Sequence, residues 1–391
     1  MGEHTGESSR RDFIRKSTAG LVLTASGFVR KSANAAPSDF KRLVYRELGS
    51  TGCRVTEIGF GVLNTTDAEI LHAAIDSGIN YFDTAHSYQN GGCEETLGKV
   101  MKTRRDAVVL ATKVSAEKIE KMREKIELSL KRLQTDHVDL LLVHGPGRRE
   151  QILDNDIIKL YDDMRRKGMT RFVGFSTHNQ VEGLAAAVES RFWEAVALPF
   201  NYFSPPEVAD AVKKAREAGI AIIAMKALIT VERPRKPFPD IRSGKSGTIT
   251  NQQSLLRWVL NNQYVDTVIP GMSSFEHLAD DIAVMGTKLS ANDLDVIERY
   301  TQDVRQRYCR GIAGCTGCRD RCPYGVDVHE LNRCVNYADG YGNRELAVSN
   351  YRSLPRSSRI DRCSDCSECA VRCVNGLDLN RTIRRARELF A

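Results

Sequence analysis

The sequence predicts a (β/α)8 barrel followed by a small cysteine-rich module, and three observations carry that prediction. Between Tyr45 and about Met285, eight short β-rich runs alternate with amphipathic helical segments, a length and rhythm suited to a barrel. Polar side chains fall at the carboxyl ends of several of those runs, where a barrel places its chemistry. Nine of the 11 cysteines come after residue 308, so the last fifth of the chain is a unit of its own. An open doubly wound sheet is the alternative for the middle region, although no G-x-G-x-x-G follows the first strand.

Composition sets the outer bounds. The 391 residues are 41% apolar, 27% charged and 7% aromatic, as in an ordinary soluble globular protein. No run approaches the roughly 18–20 apolar residues that a membrane-spanning helix requires. The formal charge of +7 comes from 57 basic and 50 acidic residues without a long basic run, which gives nucleic acid binding little support.

Taken in order, the chain opens with Ser9-Arg10-Arg11-Asp12-Phe13-Ile14-Arg15-Lys16, then a weakly apolar stretch from Ser17 to Val29. Ala33-Asn34-Ala35 supplies a small-x-small cleavage pattern. Residues 1–35 resemble a twin-arginine signal peptide, with Arg15 where lysine is usual, which implies export of a folded chain to the periplasm. A disordered basic tail is the plainer reading.

A hairpin is expected over Tyr45–Val55, ahead of the barrel at 43–286. Strands are expected at Glu57–Gly61, Asn80–Thr84, Val108–Val114, Val138–His144, Arg171–Ser176, Ala195–Asn201, Ala221–Ala227 and Val265–Pro270. Helical periodicity marks Ala68–Ser77, Glu117–Leu133, Ile157–Lys167 and Pro206–Ala218, the last opening on proline as a first turn tolerates. Residues 287–307 read as a linker or helix. Asp83 and Tyr88 follow the second strand, Lys113 ends the third and His144 ends the fourth. Each has a plain structural reading as a salt bridge or a capped strand end. A lone lysine inside a barrel is nonetheless costly without a carboxylate partner.

On these residues the region resembles an aldo-keto reductase barrel, whose Asp, Tyr, Lys and His tetrad matches Asp83, Tyr88, Lys113 and His144 in order and strand. The resemblance implies an oxidoreductase that reduces carbonyls or oxidises alcohols of small molecules. Charge developing on a carbonyl oxygen during hydride transfer calls for a poised acid. Lys113 is expected to lower the Tyr88 phenol, Asp83 to pair with Lys113, and His144 to orient the carbonyl as a neutral imidazole.

The same resemblance implies NADP or NAD, on weaker matches. Ser176 fits the family's Ser-Asn pair, but Thr177 replaces the asparagine. Ala197 stands where a glutamine is common, and Asn201 closes that strand. Lys226 occupies the place of a nicotinamide-stacking aromatic. Gly271, Ser273 and Ser274 lack the Lys-Ser pair that grips a 2′-phosphate, and His277 replaces an arginine. Ser273-Ser274-Phe275-Glu276 still reads as a capping box that could cradle phosphate, or simply as a well-capped helix.

The tail, 308–391, carries Cys363-x2-Cys366-x2-Cys369-x3-Cys373, the bacterial ferredoxin run, with Val374 where proline is usual. An upstream set reads Cys309-x5-Cys315-x2-Cys318-x3-Cys322-Pro323. Zinc and disulfides are the alternatives, the latter strained at such short separations. By the ferredoxin rule Cys309, Cys315, Cys318 and Cys373 hold one 4Fe-4S cluster, and Cys363, Cys366, Cys369 and Cys322 a second. Helical spacing from Val328 to Tyr351 suggests a helical ferredoxin-like iron–sulfur domain, with Cys334 a buried apolar residue rather than a ligand. The tail thus resembles the aldo-keto reductase branch with an appended ferredoxin-type domain, and implies a possible redox partner protein. An iron–sulfur electron-transfer or redox-sensing protein using the barrel as a scaffold is the second functional reading.

Overall fold

The structure, a computed structural model, describes residues 43–63, 65–228, 250–304, 307–310, 315, 317–363, 366 and 368–390. The export signal expected over 1–35 and the long loop from Thr230 up to Thr250 lie outside the described residues.

The antiparallel pair β1 (Tyr45–Glu47) and β2 (Arg54–Thr56), with Tyr45 opposite Thr56, forms the expected hairpin. Its turn approaches the amino ends of the later strands: Ser50 N donates to Gly219 O at 2.8 Å and Gly49 N to Asp266 Oδ2 at 3.0 Å. Gly49 sits at φ +57°, and a Cβ there would lie 2.5 Å from Ala221 N, so only glycine fits.

Eight strands follow: β3 (Phe60–Gly61), β4 (Tyr81–Asp83), β5 (Val109–Ser115), β6 (Val138–His144), β7 (Thr170–Ser176), β8 (Ala195–Pro199), β9 (Ala221–Met225) and β10 (Thr267–Val268). They form one parallel sheet in sequence order. Bridges Ile58–Val268 and Gly61–Gly271 join the last strand to the first, with Gly61 N donating to Pro270 O at 3.0 Å. The sheet therefore closes on itself.

Two layers of core follow from strand alternation. Tyr81, Ala111, Leu140, Leu142, Ala195, Ala197, Ala221 and Ile223 point inward and meet Leu48 and Val55 of the hairpin, which plugs the floor. Alternate residues such as Phe82, Leu110, Leu141, Val173, Val196 and Ile222 point outward into the larger core beneath the helices. Local signals explain those helices. In Asn155–Arg166, for instance, Asp154 accepts from the first N–H groups, and Ile157, Leu160, Tyr161 and Met164 make one buried stripe.

Several boundaries differ from expectation for identifiable reasons. The expected strands Glu57–Gly61 and Val265–Pro270 contract to β3 and β10, because at the closure they meet through single bridges instead of a ladder. The expected Ala195–Asn201 ends at Pro199, and Ala221–Ala227 ends at Met225 because Lys226 turns to φ +56°. Residues 291–304 form a helix clamped to Asn251–Leu260 by Arg257–Asp293 at 2.8 Å and Ser254 Oγ–Asp293 at 2.8 Å.

The single helix expected from Val328 to Tyr351 is broken. A helix over Val328–Val335 runs into one π-helical turn, Asn336–Gly340. Gly342 at φ +60° then reverses the chain, and Asn343 caps a second helix, Arg344–Ser353, by accepting from Leu346 N. With Leu379–Phe390, these helices enclose Leu331, Val335, Tyr351, Ile383 and Ala386. Cys334 is fully buried among them, as an apolar residue would be.

Candidate active site

The appended segment roofs the barrel mouth. Asn90 Nδ2 donates to Glu345 Oε1 at 2.6 Å, the Arg310 guanidinium lies 4.9 Å over the Phe203 ring, and Lys226 Nζ donates to Tyr337 Oη at 3.1 Å. Between barrel and roof lies a cavity of about 410 Å3. That is within the range of small-molecule sites.

The four tetrad residues converge there. Lys113, carried by β5 among apolar neighbours, donates to Asp83 Oδ1 and, at 2.8 Å, to Thr84 O. Its ammonium lies 5.2 Å from the Tyr88 ring centroid, and the Tyr88 and His144 rings meet edge to face at 5.6 Å. Asp83, Tyr88 and His144 line the cavity, while Lys113 is 1% exposed beneath them. Tyr88 opens a tight turn in which Gln89 and Asn90 adopt φ of 49° and 53°. Arg132 holds that turn by donating to Asn90 O at 3.3 Å. Left-handed non-glycine residues are costly and persist where surrounding structure imposes them.

The electrostatics depart from expectation at one point. Lys113 was expected to make the Tyr88 phenol more acidic; instead burial, and then the Asp83 carboxylate, push it well above its ordinary value. The reason is geometric, since the described hydrogen bonds of Lys113 go to Asp83 and Thr84. Burial also lifts the Asp83 carboxyl, with Lys113 holding it down in part. Burial, aided by Lys113, Arg333 and Lys226, lowers His144 to about 3, so its imidazole is neutral at physiological pH.

The predicted nucleotide residues divide. Ser176, Lys226 and Gly271 line the cavity. Thr177 is fully buried, donating to Pro146 O at 2.9 Å. Asn201 is fully buried as well and donates to Lys226 O at 3.1 Å, which supports the left-handed turn at Lys226. Ser273, Ser274 and His277 sit at the start of helix Phe275–Ile282, where Ser274 Oγ accepts from His277 N at 3.2 Å. They do not line the cavity.

Sequence reasoning missed His178, Arg333, Tyr337 and Tyr341, all of which line it. Three of them come from the roof, and no local sequence signal marked them; Tyr337 lies in the π-helical turn and Tyr341 directly follows it, and such turns gather at functional sites. Burial raises the Tyr337 phenol, but Lys226 and Arg333 outweigh it and leave it below its ordinary value.

The cysteines form two groups. Cys322, Cys363, Cys366 and Cys369 line a second cavity of about 160 Å3. Burial, with Cys322, Cys366 and Cys369 as neighbours, pushes the Cys363 thiol up to about 11. Cys318 is likewise raised to about 11 by burial, with Cys373 and Cys315 beside it. Cys315 Sγ accepts from Asn375 Nδ2 at 3.2 Å and Cys373 Sγ from Asn375 N at 3.4 Å. Cys309 is buried, its backbone tied to Asn336 in both directions at 3.4 and 3.1 Å. All eleven cysteines are free. Among the described residues, no three or more His, Cys, Asp or Glu side chains gather closely enough to hold a metal ion. A single zinc draws its thiolates to about 2.3 Å. The sulfurs around an iron–sulfur cubane bind separate irons and stand further apart.

Residues 59–230 match the aldo/keto reductase family. An uncharacterized oxidoreductase of Bacillus subtilis, YrpG, is 28% identical over 309 residues, covering 65% of this chain and 94% of that protein. L-galactose dehydrogenase of Arabidopsis thaliana is 25% identical over 299 residues, covering 65% and 91%. Among solved structures, an aldo/keto reductase from Klebsiella pneumoniae in complex with NADP and acetate is similar with a TM-score of 0.56 and 25% identity, covering 65% of this chain and 94% of that one. Aldo-keto reductase AKR11C1 from Bacillus halodurans in its holo form gives 0.54 at 25% identity, covering 66% and 96%. Residues 59–230, within the eight-stranded parallel barrel, are thus similar to the aldo/keto reductase family, and the protein is an oxidoreductase.

Proposed function

We propose that the protein reduces the carbonyl group of a small molecule at the barrel mouth, using NADP(H) as hydride source, with Tyr88 as proton donor. The observation that carries this reading is the convergence of Tyr88, His144 and the buried Lys113–Asp83 pair on one cavity. His144, neutral, donates a hydrogen bond to the carbonyl oxygen and orients it. Tyr88 supplies the proton as charge develops there. Asp83 fixes Lys113, whose ammonium lies 5.2 Å from the Tyr88 ring centroid and holds the base of the site in place. NADP(H) supplies a hydride when bound. Ser176 and Gly271, at the ends of the fifth and eighth barrel strands, are the residues that would hold its nicotinamide end. Support comes from the NADP-bound relative and from the cavity reaching past Met225–Leu228 and Ile269–Gly271.

Tyr88→Phe tests this directly. Carbonyl reduction is expected to fall by about 10²–10⁴ while NADPH fluorescence quenching stays within twofold. Undiminished turnover would return Tyr88 to a packing role.

We further propose two 4Fe-4S clusters, which would be held by Cys309, Cys315, Cys318 and Cys373, and by Cys322, Cys363, Cys366 and Cys369. Such clusters supply single-electron transfer. The reading is supported by the second cavity, whose four cysteines are those the ferredoxin rule assigns to one cluster. Amino-terminal export by the twin-arginine route, which carries folded and cofactor-loaded chains, is consistent with clusters inserted before transport. Absorbance and EPR spectra of anaerobically purified protein test the clusters; a colourless protein without acid-labile sulfide would exclude them.

A further inference from the structure

We propose that the roof of the active-site cavity is an anion-holding subsite, made by Lys226 and His178 of the barrel with Arg333 and Tyr337 of the appended segment, and that the substrate is a small carbonyl compound bearing a carboxylate. The proposal rests on the carbonyl-reductase reading and adds the substrate class.

Charge balance is the first argument. The charged groups at the cavity are Asp83, Lys226 and Arg333. Asp83 is neutralised by Lys113, and Arg333 is paired with Glu330. Lys226 has a phenol, Tyr337, as its hydrogen-bond acceptor, and among the described residues it makes no salt bridge. A half-buried ammonium without a carboxylate is an incomplete ion pair, and a bound anion completes it.

Unmet hydrogen-bonding capacity is the second. His178 Nε2, Arg333 Nε and Tyr341 Oη are each shielded from solvent without a hydrogen-bond partner, and all three residues line this cavity. Buried polar groups are ordinarily satisfied, so a cluster of orphans around one space marks a ligand's place. The backbone agrees: Lys226 is held at φ +56° by Asn201, an unfavourable conformation that aims its side chain at Tyr337.

The cavity is also polarised. Its floor holds the mutually neutralised Lys113–Asp83 pair. Its roof is positive: Lys226 and Arg333 lower Tyr337 against the effect of burial, and they add to the burial that lowers His178. A substrate with its carbonyl at Tyr88 and His144 and a carboxylate at Lys226 lies along that field in one orientation only.

The anion could instead be a phosphate of the nucleotide, and the test separates the two. Calorimetry on the full chain compares benzoate with benzamide, which have the same shape but differ in charge. Benzoate is expected to bind at least tenfold more tightly, and Lys226→Met to abolish that preference while Lys226→Arg retains most of it. In parallel, selectivity for 4-carboxybenzaldehyde over benzaldehyde should drop at least tenfold in Lys226→Met. Equal binding of the two probes by the natural chain overturns the proposal. So does a Lys226→Met variant that loses NADPH quenching but keeps its benzoate preference, because the cation then serves the nucleotide. If Lys226→Met fails to fold by circular dichroism, Arg333→Gln takes its place with the same criteria. Benzoate binding needs no turnover, so a Tyr88→Phe protein that binds benzoate but reduces nothing leaves this proposal standing whatever becomes of the reductase reading.

Discussion

Removing the charge of Lys113 gives the sharpest test of how the site is built. Lys113 and Asp83 are 1% and 2% exposed, and the ammonium also holds Thr84 O at 2.8 Å. Removing one partner of a buried ion pair leaves the other charge uncompensated, at a cost of about 3–5 kcal/mol; replacing both by groups of similar volume is often close to neutral. Lys113→Met and Asp83→Asn should therefore each cost about 3–5 kcal/mol, and the double variant far less than their sum. For a unit of this size about 2–4 °C accompanies each kcal/mol, so each single variant should melt some 10 °C lower. Both tryptophans, Trp193 and Trp258, lie in the barrel, so fluorescence reports on this unit. Lys113→Met carries a further signature. Burial already raises the Asp83 carboxyl, and without Lys113 it rises further. The folded state then binds a proton more readily than the unfolded chain, so the deficit should shrink as pH falls towards 5 and be largest at neutrality. A double variant as unstable as the sum of the singles would refute the reasoning, since the two side chains would then be acting independently.

His144, depressed to about 3 in the folded chain, binds a proton in the unfolded chain first; stability should fall as pH drops from about 6.5 towards 3, by about 3 kcal/mol at pH 4, and His144→Gln should flatten that arm in urea titrations read by tryptophan fluorescence. Gly174 lies in β7 where a Cβ would fall on Ala195 O and touch Leu142, so Gly174→Ala should force β7 and β8 apart and cost about 1–3 kcal/mol in the same titration. On the proposed two-cluster reading, Cys322→Ser should cost the cluster assigned to Cys363, Cys366 and Cys369 and leave the other's EPR signal; loss of both signals, or neither, would contradict the assignment of Cys322 across the two runs.

The barrel was legible because its strands are continuous apolar runs buried on both faces, such as Val138–His144, whose observed limits match the reading. The two strands at the closure were overcalled, because apolar content there reflects packing while pairing is limited to bridges. The convergence of the four residues was legible because Asp83, Lys113 and His144 lie at or near strand ends and Tyr88 follows one by five residues, where position in sequence dictates position in space. The roof was not. Tyr337 and Arg333 lie more than a hundred residues from Lys226, and nothing in local periodicity tells a docked helix from a free one. Thr177, Asn201 and His277 carry the opposite lesson. Each is polar and near a strand end or helix start, yet each spends its hydrogen bonds on neighbouring backbone or side chains.

The high phenol value at Tyr88 has a consequence for direction. A tyrosine serves reduction as an acid and oxidation as a base, and the two roles call for opposite protonation states. Burial and Asp83 both favour the protonated phenol, and Lys113 is occupied by Asp83 and Thr84. Near neutrality Tyr88 therefore rests protonated, the state that reduction requires, although burial makes it a weak acid. The site thus keeps Tyr88 in the protonated state that carbonyl reduction starts from, while the proposed substrate's own charge is held at Lys226 at the far end.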